Sequence, residues 1–323
     1  MTCPWCGALS EGAAPTKCPR CGAVYVKAAA LAAGLPATAI SEPLQVAGGA
    51  AQTGGRDEKA ATQPAAPSRL ALERVLSDQP EHRFEYRLRV WALPSSLLLA
   101  VLFHASATGH FLQRVFFTML VHEFGHATTA WFCGFAALPT LWRTSIADTR
   151  GLLTPLLLGA GIASFAARSI RARQIGLIAL AAVLGLAQLV GTLALSPTSA
   201  QALIAFGGDA GAMVIGSALM TAFYFGEDTP LRRGQLRWGF LVIGAAAYVD
   251  TFATWWAARH DWDAIPFGEI EGVGLSDASK LTGEYAWSVQ MLIDRYVGLG
   301  YVCGTAIVSI WIWGVVSHGR TPK

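Results

Sequence analysis

The sequence predicts an all-α polytopic membrane protein of about six to seven transmembrane helices, preceded by a small cysteine-bearing head. Three observations predict it. The 323 residues are 53% hydrophobic and only 14% charged, with a mean hydropathy of +0.43; a soluble domain carries nearer a quarter charged residues. From residue 91 onward the chain is a series of apolar runs, each near the roughly 20 residues that span a bilayer. Arginines gather between the runs, and Trp91, Trp131, Trp238, Trp255, Trp256 and Trp287 stand at run ends, where interfacial anchors belong. The formal net charge of +3 is too small to imply a nucleic-acid partner.

Residues 1–25 are the head. CPWC and CPRC set Cys3, Cys6, Cys18 and Cys21 in two Cys-x-x-Cys knuckles separated by 11 residues. Four thiolates so spaced predict a tetrahedral structural zinc site, a short zinc ribbon. A glycine after each knuckle permits the tight turn. A redox Cys-x-x-Cys pair would need a βαβ context that 25 residues cannot supply. Zinc-binding thiols suit the reducing cytosol, so the head is expected to be cytoplasmic. A closed site of this kind does no chemistry; it recognises a protein partner or tethers a substrate. The opening MTCPWCG shows no cleavable signal peptide. Cys133 and Cys303 lie in apolar context and read as small buried hydrophobes.

Residues 26–68, rich in Ala, Gly, Pro and Thr, read as a flexible linker. Residues 69–90 mix Leu and Val with Arg and read as an interfacial segment. Residues 91–318 form the membrane domain, with runs at 91–107, 111–135, 151–167, 175–195, 201–226, 236–258 and 285–316, and 319–323 are a tail. Arg168, Arg171 and Arg173, then Arg232, Arg233 and Arg237, then Arg320 and Lys323 mark cytoplasmic segments. Two cytoplasmic ends require an even number of crossings. One of the seven runs must therefore fall short: either 91–107, which contains Pro94, or a re-entrant passage near 133–150. Residues 259–284, with six acids and two bases, read as a solvated extracytoplasmic loop.

Within the second run stands VHEFGHATTAW. On a helix His122 and His126 lie one turn apart on one face and can bind one zinc ion, with Glu123 beside them as a base for a metal-activated water. Chance alone yields roughly 0.005 such motifs in this composition. Ionisable groups at membrane depth cost at least ~2.5 kcal/mol on insertion scales, which makes them functional by default. His110 is about 18 Å upstream on a continuous helix, too far to share that metal, and His104 reads as a packed or interfacial histidine.

An HExxH in an apolar helix, continuing as HEFGHATTAWFCGFAALPT, resembles bacterial site-2 proteases, the intramembrane zinc metallopeptidases of peptidase family M50. The resemblance is carried by residues 110–145, is architectural over the rest of the membrane domain, and does not reach the head. It implies a catalytic zinc, a water nucleophile and a membrane-protein substrate cut in or near the lipid bilayer. It further implies a third ligand, an Asp on a later helix in a Leu-Asp-Gly motif. Here AFGGDAGAMVIG offers Asp209, 83 residues after His126, in the altered order Gly-Gly-Asp-Ala-Gly. Asp250, in AAAYVDTFATWW, is the second candidate ligand. The segment GFAALPT (134–140) offers an edge for an extended substrate.

These readings predict an intramembrane zinc endopeptidase with two Zn2+ ions, one catalytic and one structural, in a bacterial cell membrane. The competing reading is a non-catalytic anchoring or adaptor protein of protease descent that binds partners through its ribbon; the intact Glu123 weighs against it. A metal transporter would spread ionisable residues over repeated halves, and no internal repeat is visible.

Overall fold

A computed structural model describes residues 80–225, 235–270 and 274–320. The cysteine head, the linker and the expected zinc ribbon of Cys3, Cys6, Cys18 and Cys21 lie outside the described residues.

Helix α1 spans Pro80–His104 and is followed by α2 (Ala107–Gln113), a π-helical turn (Arg114–Thr118) and α3 (Met119–Phe132). Strands β1 (Phe135–Pro139) and β2 (Thr144–Arg150) form an antiparallel hairpin. Then come α4 (Leu153–Arg171), α5 (Ile175–Leu189) with a π-helical end (Val190–Ala194), α6 (Pro197–Thr221) and α7 (Leu236–Ala257). A two-stranded ribbon, β3 (Glu269–Ile270) and β4 (Gly274–Leu275), leads into α8 (Asp277–Gly283), and α9 (Val289–Arg320) closes the chain.

Six helical stretches among the described residues are long and apolar enough to cross a membrane: Phe84–His104, Leu153–Arg171, Ile175–Ala194, Pro197–Tyr224, Leu236–Ala257 and Val289–Ser317. The chain is accordingly an all-α polytopic membrane protein, with the two hairpins as its only described strands. Run 111–135 is the one outside this set, because His122, Glu123, His126 and Arg114 dilute its apolar character. Run 91–107, by contrast, belongs to a longer helix. α1 begins at Pro80, so the end of the segment expected to lie at the interface is helical and continuous with the first span. Pro94 sits inside it.

Burial separates core from rim. In the most apolar stretches of α6 and α7, 61% and 56% of residues are buried, against 6% in α4 and 17% in α5. α4 and α5 turn Leu152, Leu156, Leu157, Ile175 and Leu193 outward, as helices do that face lipid. α6 starts at a Ser196 cap, whose Oγ accepts from Ser199 N at 3.1 Å, with Pro197 in the first helical position. It then runs through the centre against α3, α7 and α9.

The α3–α6 contact explains the glycines of AFGGDAG. A Cβ at Gly211 would run into the backbone of Gly125, and one at Gly125 would meet the carbonyls of Gly207 and Gly208. The two helices therefore touch backbone to backbone, the packing that small residues permit in membranes. At its end α3 stops at Cys133, and Gly134, with φ +84°, reverses the chain into β1. Arg150 at the end of β2 ties the hairpin down. Its Nε donates to Cys133 O at 2.9 Å and its Nη2 to Leu195 O at 2.9 Å and Gly191 O at 3.2 Å.

Candidate metal centre

α3 presents His122 and His126 toward α6, where Gly208 leaves the room they occupy. A Cβ on Gly208 would lie 2.5 Å from His126 Nε2 and 2.7 Å from His122 Nε2. Each ring is fixed from behind. His126 Nδ1 is 2.7 Å from Ile204 O. A carbonyl only accepts, so Nδ1 carries the proton. His122 Nδ1 is 2.9 Å from Asp209 Oδ1, and an ionised carboxylate likewise only accepts. Asp209 is itself held by Trp255, whose Nε1–H donates to Oδ2 at 2.8 Å. Trp255 stacks on Tyr296 at 4.1 Å between ring centroids, and Tyr296 stacks on Phe206 at 4.4 Å.

With both Nδ1 atoms engaged, the two Nε2 atoms face each other at 3.1 Å. Asp277, from the start of α8, closes the group: its Oδ2 is 2.9 Å from His126 Nε2 and 3.2 Å from His122 Nε2. Two bare imidazole nitrogens and a carboxylate oxygen repel one another unless a proton or a cation lies between them. Three edges of 2.9–3.2 Å approach the edge of about 3.3 Å between ligands on a tetrahedral zinc with bonds of ~2.0–2.1 Å. His122, His126 and Asp277 thus form a group that could hold a metal ion, and the two-imidazole, one-carboxylate donor set suits zinc. Burial disfavours the charged form of Asp277. The field of His126 and the hydrogen bonds from both rings outweigh that burial and hold the carboxyl well below the usual carboxylate range.

The expected third ligand was Asp209, with Asp250 second. The structure puts neither at the Nε2 edge. Asp209 stands behind His122 in the position of a carboxylate that orients a metal-binding histidine. Asp250 faces a separate group of side chains. The carboxylate at the Nε2 edge comes from the segment expected to be a bland solvated loop. Ser276 caps α8, and Ala278 and Leu281 bury themselves against the core formed by α6, α7 and α9, bringing Asp277 inward. Nothing in the local pattern Ser-Asp-Ala-Ser-Lys separates this acid from one that merely begins a helix; only the chain's return onto α6 does.

Glu123 is buried, and Thr144 Oγ at the head of β2 lies 2.6 Å from its Oε2. His122, His126, Glu123 and Asp277 all line one cavity of about 850 Å³. β2 forms part of its wall through Thr144, Ile146 and Ala147. GFAALPT is extended, as an edge requires; β1 and β2 each have one edge unpaired by a strand among the described residues, and Phe135 of β1 lines the cavity together with β2. No family model, curated protein or solved structure compared with the chain matches it.

Proposed function

We propose that the protein is an intramembrane zinc-dependent endopeptidase that hydrolyses peptide bonds of membrane-protein substrates. The observation that carries this reading is the convergence of His122 Nε2, His126 Nε2 and Asp277 Oδ2 beside Glu123 in one cavity of about 850 Å³. His122, His126 and Asp277 hold the zinc, while Asp209 and the Ile204 carbonyl fix the two ring orientations. The bound metal supplies Lewis acidity, polarising a carbonyl and making a water acidic near neutral pH. Glu123 would take a proton from the attacking water on its carboxylate and return it to the leaving amine. The Thr144 hydroxyl restrains Oε2 of Glu123 and links the base to β2.

The substrate is read as an extended strand. A helical peptide has its carbonyls already hydrogen-bonded, so the cut segment must unwind first. β2 has β1 on one side and, among the described residues, no strand on the other; a substrate strand laid along it satisfies backbone groups of both. Its length of seven residues is enough for such pairing.

Cleavage of a single-pass membrane substrate by the purified full chain tests the reading. Glu123→Gln retains the metal group and removes the base, so cleavage falls by at least 100-fold. Equal cleavage by the two proteins sinks the mechanism, and no cleavage by either leaves the adaptor reading in its place.

A further inference from the structure

A second group of metal-binding side chains stands upstream of the first. His104 closes α1. The chain then turns within a few residues: Ser106 Oγ accepts from Gly109 N at 3.1 Å, and a Cβ on Gly109 would meet that same oxygen at 2.5 Å. The turn brings His110 back against His104, with ring centroids 4.4 Å apart. From α7 comes Asp250, whose side chain is wholly buried. Its Oδ1 lies 2.8 Å from His110 Nε2 and 3.3 Å from His104 Nδ1. Its Oδ2 is held by Arg114 Nη1 at 3.2 Å.

These short contacts are not hydrogen bonds. His104 Nδ1, His110 Nε2 and Asp250 Oδ1 are all buried and none has a hydrogen-bond partner. A ring proton shared with the carboxylate would point along one of the contacts; here neither is aligned. An unpartnered carboxylate oxygen away from water is costly, and the cost is removed by a cation placed where the three atoms converge. All three lie within 4.8 Å of one another.

We propose that His104, His110 and Asp250 bind a second divalent metal ion of the zinc class, separate from the ion assigned to His122, His126 and Asp277. Two imidazoles and one carboxylate oxygen make a three-ligand site with an open fourth position. Arg114 holds the carboxylate by its far oxygen, so that Oδ1 alone faces the ion. The partly exposed rings of His104 and His110, at 24% and 40%, give the ion its way in, while Asp250 closes the inner side. Arg114 also lines the large cavity, which puts the second site one side chain from the first. The proposal stands on its own residues and does not need the peptidase reading.

Metal content decides it. Full-length protein in detergent micelles is equilibrated with zinc, freed of loosely held ion and assayed for zinc per chain. The paired substitution His104→Gln, His110→Gln is expected to remove one equivalent, and Asp250→Asn the same one. The pair His122→Gln, His126→Gln removes a different equivalent, so that all four substitutions together remove two. The equivalent that each pair retains beyond the one expected at the four head cysteines, which every variant shares, reports that the membrane domain is folded. Unchanged zinc in the His104, His110 variant, with a loss in the His122, His126 variant, overturns the proposal; the reverse pattern overturns the first site and leaves this one. A second measurement needs no substitution: a zinc anomalous map from crystals of the unaltered protein. Density between His104, His110 and Asp250 is expected, and a peak at His122 and His126 with none here contradicts the assignment.

Discussion

Each of the two acids near the HExxH histidines meets a different ring atom. Asp209 accepts at Nδ1 of His122, and Asp277 lies at the Nε2 edge of both rings. Chemistry follows from that placement: one carboxylate orients and the other can ligate. Gly208 makes the arrangement sterically feasible. In an exposed helix Gly→Ala gains up to about 1 kcal/mol from helix propensity. Here the added Cβ meets two rings that are pinned from behind by Asp209 and by the Ile204 carbonyl, so they have nowhere to swing. Gly208→Ala is therefore expected to leave helix content unchanged in circular dichroism while weakening zinc affinity at this site by about tenfold or more, the size typical of disturbed ligand orientation. An unchanged affinity would show that the rings move freely.

Among the elements, the π-helical turn at Arg114–Thr118 has the largest consequence. On an ideal helix His110 and His122, twelve residues apart, would differ by about 120° around the axis. A π turn accommodates one extra residue and takes back roughly 100° of that. It thereby aims His110 and Arg114, with His122 and His126, toward the α6–α7 side, where Asp250 and Asp209 stand. Apolar periodicity does not reveal such a turn, because Arg114-Val-Phe-Phe-Thr118 fits either helix. The hairpin is a second element with a separable role. It contributes no ligand, only Thr144 and the open edge of β2, and Arg150 fastens it to α3 and to the end of α5. Arg150→Met, which keeps the stem and drops three donated hydrogen bonds, should lower cleavage several-fold while zinc content stays whole. Loss of zinc and activity together would assign Arg150 to global stability instead.

Across the described residues the candidate metal group joins distant parts of the chain: α3 supplies two histidines, and α8 supplies a carboxylate 151 residues after His126. Low charge and apolar runs were enough to read the membrane fold, because lipid imposes length and composition directly; of the tryptophans expected as interfacial anchors, Trp255 is instead buried against Asp209 and Tyr296. His122, Glu123 and His126 were legible because their spacing is local to one helix. The third acid was not, for a physical reason. Asp209 is conspicuous as a charge in an apolar run, but a buried carboxylate is equally well accommodated by a histidine Nδ1–H and a tryptophan N–H. Asp277 is inconspicuous among the acids of residues 259–284, and it is inward-facing only because Ala278 and Leu281 dock α8 on the core. The most direct test compares Asp277→Asn with Asp209→Asn in the full chain, reading zinc affinity and substrate cleavage in the same samples. Asp277→Asn is expected to abolish cleavage and lose the zinc held by His122 and His126, while Asp209→Asn keeps that zinc with affinity reduced by about 10–100-fold. Full zinc and full cleavage in Asp277→Asn, with both lost in Asp209→Asn, would contradict the account.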